Sequence, residues 1–335
     1  MIYRYGVTNR GLTRRPESVA DHSRPSALFF DSGDVTVRCR VMSTPIHRRT
    51  FLAGIGAVAL AVRDAAAASI RRVGVQLYTV RAELEKDFDG TLAKVAAIGY
   101  REVEFAGYFN RTPRQVRDAL KQHGLTSPAA HIDYATVSDP AKWARTLDEA
   151  GLIGQTFLVN PWIDPALRTQ ADFWKRAADT YNTAGAAAKE HGIQFCYHNH
   201  NFEFYPQANA GGQAPFDLLL SACDPALVKM ELDLCWISAA RKDPLDYFRR
   251  FPGRFPLVHV KGLKQVPPAS ADPTPIDKVL PDVTDVGHDD TIDWKRIVAA
   301  SQQAGIAHYF VEHDVPKDPF ASLKASFDYV SKLTV

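Results

Sequence analysis

Cysteine is scarce in this chain: four in 335 residues, with no Cys-x-x-Cys pair among them. A thiolate zinc module or a dithiol redox site is therefore excluded. Cys39 falls in the leading segment, so the body keeps Cys196, Cys223 and Cys235, an odd set best read as buried free thiols. Charge of one sign is also lacking. The 40 Lys+Arg stand against 38 Asp+Glu, and residues 1–68 hold 10 basic and 5 acidic side chains, which leaves 30 against 33 in the remainder. Such a body offers no broad basic field for a nucleic-acid backbone. Nor does any apolar run approach the roughly 20 residues of a membrane helix; the stretch Phe51–Val62 has 12. What remains, at 46% hydrophobic, 23% charged and 10% aromatic, is the composition of a soluble globular protein with one large domain or two modest ones.

Residues 43–68 read STPIHRRTFLAGIGAVALAVRDAAAA. Arg48–Arg49, the short apolar run and the small residues Ala65–Ala68 resemble a bacterial twin-arginine export signal, with cleavage expected near Ala68 and a periplasmic destination. An N-terminal core helix is the alternative, disfavoured because the arginine pair abuts the apolar run. Residues 1–41 lack periodicity and precede Met42, where a translation start would fall. They are expected to be a disordered lead or an over-extended gene start. The expected division is thus 1–41 lead, 42–68 signal and 69–335 folded domain.

One unit recurs along that domain. AIGYREVEF, QHGLTSPAAH, EAGLIGQTFLV, EHGIQFCYH and QAGIAHYFVE each join a helical stretch, a glycine (Gly99, Gly124, Gly151, Gly192, Gly305), a β-branched or aromatic run and then a polar residue. Glycine there stops the helix, and the run after it reads as a buried parallel strand. Eight strands are expected near 73–79, 101–106, 126–131, 155–160, 193–199, 228–234, 256–261 and 308–312. Helical patterns lie between them, as at 83–97, 112–123, 139–150, 170–191, 293–304 and 319–333. Eight alternating units in about 267 residues match an α/β fold of the (β/α)8 TIM-barrel type in a single domain. A doubly wound open sheet would want a glycine-rich phosphate turn after its first strand, and VGVQLYTVRAEL has none.

In a barrel, chemistry gathers at the C-terminal strand ends. Those ends carry Gln76 and Tyr78; Glu102 and Glu104; His131 and Asp133; Asn160; His198, Asn199, His200 and Glu203; Glu231 and Asp233; His259 and Lys261; Glu312, His313 and Asp314. Ionised groups on buried strands must be paired, hydrated or bound to a metal. By contrast His123 and His191 end helices, where a cation suits the dipole. A Glu, Asp and His cluster without thiolate favours a hard or borderline ion, Mn, Mg, Co or Zn. Glu203, Asp233, His259 and Glu312 supply one candidate ligand from each of the last four strands. Asp233 as a helix cap and His259 as a satisfied core histidine are the structural alternatives, but four on successive strands weigh against coincidence.

VGVQLYTVR, YHNHNFEF, ELDLCW, HVKG and the closing FVEHD resemble the xylose-isomerase-like sugar isomerase/epimerase superfamily, over nearly all of 72–333. The resemblance implies one divalent metal ion held by a carboxylate from the fifth strand, Asp from the sixth, His from the seventh and Glu from the eighth. Asp233, His259 and Glu312 match directly. Many relatives have Glu-Asn-His where this chain has His198-Asn199-His200, so either His198 replaces the Glu or Glu203 reaches back. Glu203 is the preferred reading. The glycine-rich turn before the last helix also departs, as Gly287-His288-Asp289-Asp290.

The function this implies is a metal-dependent sugar isomerase or epimerase working through an enediolate stabilised by the ion. Glu203 and Glu312 are the candidate pair that removes and returns the proton. His131, His198 and His200 would bind hydroxyls or relay protons, and Lys261 would steady negative charge. Tyr78, Glu104, Trp162 and Trp236 are candidate substrate contacts. Export and the lack of an arginine clamp point to a non-phosphorylated sugar or glycoside. The runner-up is a 3-keto-glycoside lyase using the same site; a non-catalytic sugar-binding barrel is the third reading. The superfamily's abasic-DNA endonucleases need a basic channel that this body lacks. No nucleic-acid partner and no membrane contact after signal cleavage are expected, and a homo-oligomer stays open. Segments 199–215 and 263–287 are candidate access loops, the latter long for a βα connection.

Overall fold

The computed structural model describes Ile70 and residues 72–334; the export-signal reading of 42–68 and the lead 1–41 lie outside the described residues. Eight parallel strands, Val73–Gln76, Glu102–Phe105, Thr126–His131, Phe157–Asn160, Gln194–His198, Val228–Asp233, Leu257–Val260 and His308–Val311, pair in sequence order, and the first closes on the eighth. Every expected strand is present, and the surrounding helices complete a TIM barrel. The helix 113–123 illustrates why the local sequence folds so: Thr112 and Gln115 form a reciprocal capping box, Pro113 opens the first turn and Gly124 ends it at φ 64°. One helix stop differs from expectation. Gly151 lies inside the helix Pro140–Ile153, and the residue that turns the chain is Gly154, at φ 92°. Helices Pro215–Ala222, Leu234–Ala239 and Pro244–Arg250 fill the stretches where periodicity alone singled out none. Cys196, Cys223 and Cys235 are free and buried. Among the described residues no helix is long and apolar enough to cross a membrane.

The bore of the barrel is layered, because residues two apart on a strand face the same way. Ala129, Val159, Cys196, Leu257 and Phe310 form a fully buried apolar cluster. Their neighbours two positions on, His131 and His198, His259 and Glu312, lie on the same inward face one layer nearer the strand ends. Gly74, the register neighbour of Phe310 on the adjoining first strand, makes room for its ring: a Cβ there would lie 2.6 Å from it. Below this layer Glu102 meets His308 Nδ1 at 2.7 Å and Arg72 at 3.7 Å.

The 263–287 segment is a structured cover rather than an open loop. Gly262–Leu263 pairs antiparallel with Val283–Thr284, and Leu263, Val279 and Val283 pack with Cys235, Trp236 and Ala239. Asn201 Nδ2 donates to the Thr274 carbonyl at 2.6 Å, which ties this cover to the loop after the fifth strand.

Candidate metal centre

Two groups of titratable side chains meet at the C-terminal end of the bore. The upper group is Asp233, His259 and Glu312, whose donor atoms lie within 4.8 Å of one another. Sheet register puts Asp233 directly beside His259, and Phe310 opposite His259 sets Glu312 one layer higher. His259 Nδ1 is 3.0 Å from Glu312 Oε2 and 3.8 Å from Asp233 Oδ2. Lys261, two residues beyond His259, turns the same way. Its Nζ lies 2.7 Å from Glu312, 2.9 Å from Asp314 and 3.2 Å from Asp233. Asp233 is also a helix cap: Oδ1 accepts from the Trp236 N–H at 2.8 Å, while Oδ2 is buried without a hydrogen bond. The two readings of this residue are therefore compatible, one per oxygen.

Electrostatics follows burial and company. Burial raises the Asp233 carboxyl to about 6, against the pull of Lys261 and His259. Burial would raise Glu312 too, but Lys261 and His259 outweigh it and hold it well below the usual range. For Lys261, burial works against the charge, yet Asp233, Asp314 and Glu312 lift it well above an ordinary lysine.

The lower group is His131, His198, Glu231 and His259, again with donor atoms within 4.8 Å. Glu231 Oε2 lies 3.0 Å from His131 Nε2, 3.2 Å from His198 Nδ1 and 3.2 Å from His259 Nε2. Glu104 completes it, 2.7 Å from His259 Nε2 and accepting from Gln76 Nε2 at 2.8 Å. His259 thus faces the upper group with one ring nitrogen and the lower with the other. Burial lowers His198 to about 3, and nearby His259 adds to that. Burial also opposes charge on His131, but Glu104 and Glu231 raise it to about 9. Burial would lower His259 as well, yet Glu231 and Glu312 carry it well above the ordinary value. Glu231 is held well below its usual range, since three imidazoles overcome burial.

An aromatic wall borders the upper group. The His200 ring lies 5.0 Å from Trp162, 5.4 Å from Trp236 and 5.9 Å from Phe202. His200 Nδ1 and Trp236 Nε1 are buried without hydrogen-bond partners. Burial, then His198 and Lys261, push the His200 imidazole well below its ordinary value, so it is neutral. Lys261 Nζ is 5.2 Å from the centre of the Trp236 ring.

Two expectations need correction. Glu203, preferred as a ligand and base, belongs to neither group. It sits in the short turn Phe202–Phe204, where Tyr197 donates to it at 2.7 Å and the His200 N–H at 2.9 Å. His198 is the fifth-strand residue that faces the cluster, its Nε2 3.9 Å from Asp233 Oδ2. Glu104, expected against substrate, is wholly buried in the lower group. The Tyr78 ring lies beneath the Arg81 guanidinium at 3.9 Å. Glu231 and Asp314 were visible at strand ends but carried no assigned role. Strand alternation would have found Glu231, which faces inward because Asp233 does.

The donor set suits a divalent cation. Five carboxylates, Glu104, Glu231, Asp233, Glu312 and Asp314, crowd this end, and Lys261 is the one ammonium within ion-pair range among the described residues. Glu104 Oε1 and Glu231 Oε1 are buried and accept nothing, and Asp233 Oδ2 has only ionic company, the Lys261 ammonium at 3.2 Å. Excess buried negative charge with oxygen and nitrogen donors is what a hard or borderline metal relieves.

An inosose dehydratase of Lacticaseibacillus casei is 24% identical over 275 residues, covering 74% of this chain and 88% of the relative. The solved structure of a sugar phosphate isomerase/epimerase from Parabacteroides distasonis is 26% identical, with a TM-score of 0.64 over 78% of this chain and 98% of its own. The structure of the IOLI protein with a bound zinc atom has a TM-score of 0.59 at 14% identity, covering 78% of this chain and 99% of that one. Residues 92–333 match the xylose isomerase-like TIM-barrel family. With that match spanning most of the chain and the closed eight-stranded barrel beneath it, the protein belongs to the xylose isomerase-like TIM-barrel family.

Proposed function

We propose that the protein is a metal-dependent isomerase or epimerase that removes a proton next to the ketone of a non-phosphorylated sugar or cyclic polyol. The observation that carries the reading is the upper group: Asp233, His259 and Glu312 converge beside buried Lys261, and three protein ligands leave coordination positions for substrate oxygens. A divalent ion held there supplies Lewis acidity that stabilises negative charge on a carbonyl oxygen. The chain's own residues do the rest. Trp162 and Trp236 offer flat apolar surface to the CH face of a ring. Lys261 Nζ donates to the oxygen on which charge develops. The unpartnered His200 Nδ1 takes the proton from carbon and, as an imidazolium, returns it to the neighbouring carbon. Glu203 acts as a positioning residue, fixing the His200 backbone and the Tyr197 hydroxyl.

Asp233, Glu312 and Asp314 around the upper group repel a phosphate dianion, which supports an unphosphorylated substrate. The twin-arginine reading of the leader agrees, since it implies work outside the cytoplasm. A second outcome, elimination, is favoured by the similarity to inosose dehydratases. There the same proton removal is followed by loss of a neighbouring hydroxyl as water, with Lys261 supplying the proton. Incubating metal-loaded protein in D2O with ketoses, inososes and 3-keto-glycosides tests both. Deuterium beside the carbonyl of recovered substrate supports isomerisation, and a product lighter by one water supports elimination. Neither result across the panel overturns the proposal.

A further inference from the structure

The two groups at the end of the bore differ in coordination character. The upper one offers three donor residues, one short of a tetrahedral set. The lower one offers four, from the third, fifth, sixth and seventh strands, and all but partly buried His131 are closed off from solvent. Hydrogen bonding uses only part of it. Glu231 Oε2 is bonded by His131 Nε2 at 3.0 Å and His198 Nδ1 at 3.2 Å, while His259 Nε2, 3.2 Å from the same oxygen, makes its own bond to Glu104. Oε1 of the Glu231 carboxylate accepts nothing although fully buried, and the four donor atoms all lie within 4.8 Å of one another. Converging nitrogen and oxygen donors with a buried carboxylate oxygen left over form a set that a central cation would complete. Tetrahedral zinc with ligands at about 2.0–2.1 Å would separate donor atoms by roughly 3.4 Å, and the three imidazole nitrogens lie 3.0, 3.2 and 3.2 Å from Glu231 Oε2.

We propose that His131 Nε2, His198 Nδ1, His259 Nε2 and Glu231 Oε2 form a second, closed binding site for a zinc-class divalent ion, deeper than the open group and structural in kind. Three imidazoles and one carboxylate favour a borderline ion over Mg or Ca. Glu104, 2.7 Å from His259 Nε2 and oriented by Gln76, lies beside the site as an outer carboxylate. Both sites draw on His259, from opposite ring nitrogens. A neutral imidazole has one available lone pair, so holding both ions at once takes the imidazolate form of His259, its second ring proton leaving to solvent as the second ion binds; the two ions therefore bind unequally, the closed site first and the open site more weakly. The ion in the closed site would hold four strands together and fix His259 in direction. Such an ion needs no contact with substrate.

The sites separate experimentally because His131 and Glu231 belong only to the lower one, and Asp233 and Glu312 only to the upper. Chelator-stripped full chain is titrated with Zn2+ by calorimetry, and bound zinc is counted by mass spectrometry. The wild type should take up two ions in unequal steps, and His131→Gln and Glu231→Gln should each lose the tighter one. Asp233→Asn should keep that ion, and X-ray absorption at the zinc edge should find three imidazoles around it. Should His131→Gln or Glu231→Gln fail to fold, the imidazole count in Asp233→Asn decides. Overturning results are unchanged zinc uptake in folded His131→Gln and Glu231→Gln, fewer than two imidazoles per zinc in Asp233→Asn, or no zinc bound by the wild type.

Discussion

The two ends of the bore are built from the same residue types and come out differently. At the N-terminal end, Glu102 lies 2.7 Å from His308 and faces Arg72, so one carboxylate meets two basic partners near solvent. At the C-terminal end, five carboxylates share one ammonium and four imidazoles, mostly out of contact with water. Ionisable residues on strands are thus not by themselves a mark of chemistry. What distinguishes a site is negative charge left uncompensated, with buried oxygens that accept no hydrogen bond.

That contrast can be broken by substitution, beginning where the effect should be greatest. Asp233→Asn keeps a cap for the helix after the sixth strand, since asparagine caps as well as aspartate, yet it removes an anionic ligand. A loss of at least about 1,000-fold in kcat/KM with little change in melting temperature is expected, measured on whichever substrate exchanges deuterium. Lys261→Met leaves three buried carboxylates facing one another without their cation. It should cost about 3–5 kcal/mol in urea unfolding of metal-free protein.

A pH experiment sharpens the role of Glu203. Burial comes first among its influences and raises its carboxyl to about 7, despite Tyr197 and Arg168. The folded state therefore holds this proton more tightly than the unfolded chain. Stability from the group is complete below about pH 4.5 and is lost as pH rises through about 7. Urea midpoints of wild type should fall across that window relative to Glu203→Gln, by on the order of 3 kcal/mol at most. A parallel response would place Glu203 in water, not in the turn. Gly74→Ala pushes a methyl into the Phe310 ring and should destabilise by about 1–3 kcal/mol, read from thermal melts. The smallest effect is at the N-terminal end. His308→Ala should cost about 1 kcal/mol and leave turnover unchanged, and a large loss of turnover would erase the distinction between the ends.

The barrel was legible in the sequence because parallel strands buried on both faces read as apolar runs, and each followed a helix stop. The error at Gly151 arose because EAGLIG contains two glycines, and only the second occupies the left-handed region. At the site, Asp233, His259 and Glu312 were legible since each ends a strand and faces inward. Glu203 misled because a loop residue has no fixed direction: a three-residue turn swings it back onto Tyr197 and the His200 amide. Alternation reveals facing but not depth, so Glu104 could be assigned to the bore without its layer being known. Depth emerged only from pairing across the sheet, where Gln76 aligns with Glu104 and His198 with Glu231.

The apolar stopper formed by Ala129, Val159, Cys196, Leu257 and Phe310 fills the bore beneath the site. On the proposed reading, substrate and product then share the strand-end entrance, so a product resembling its precursor competes with it for passage.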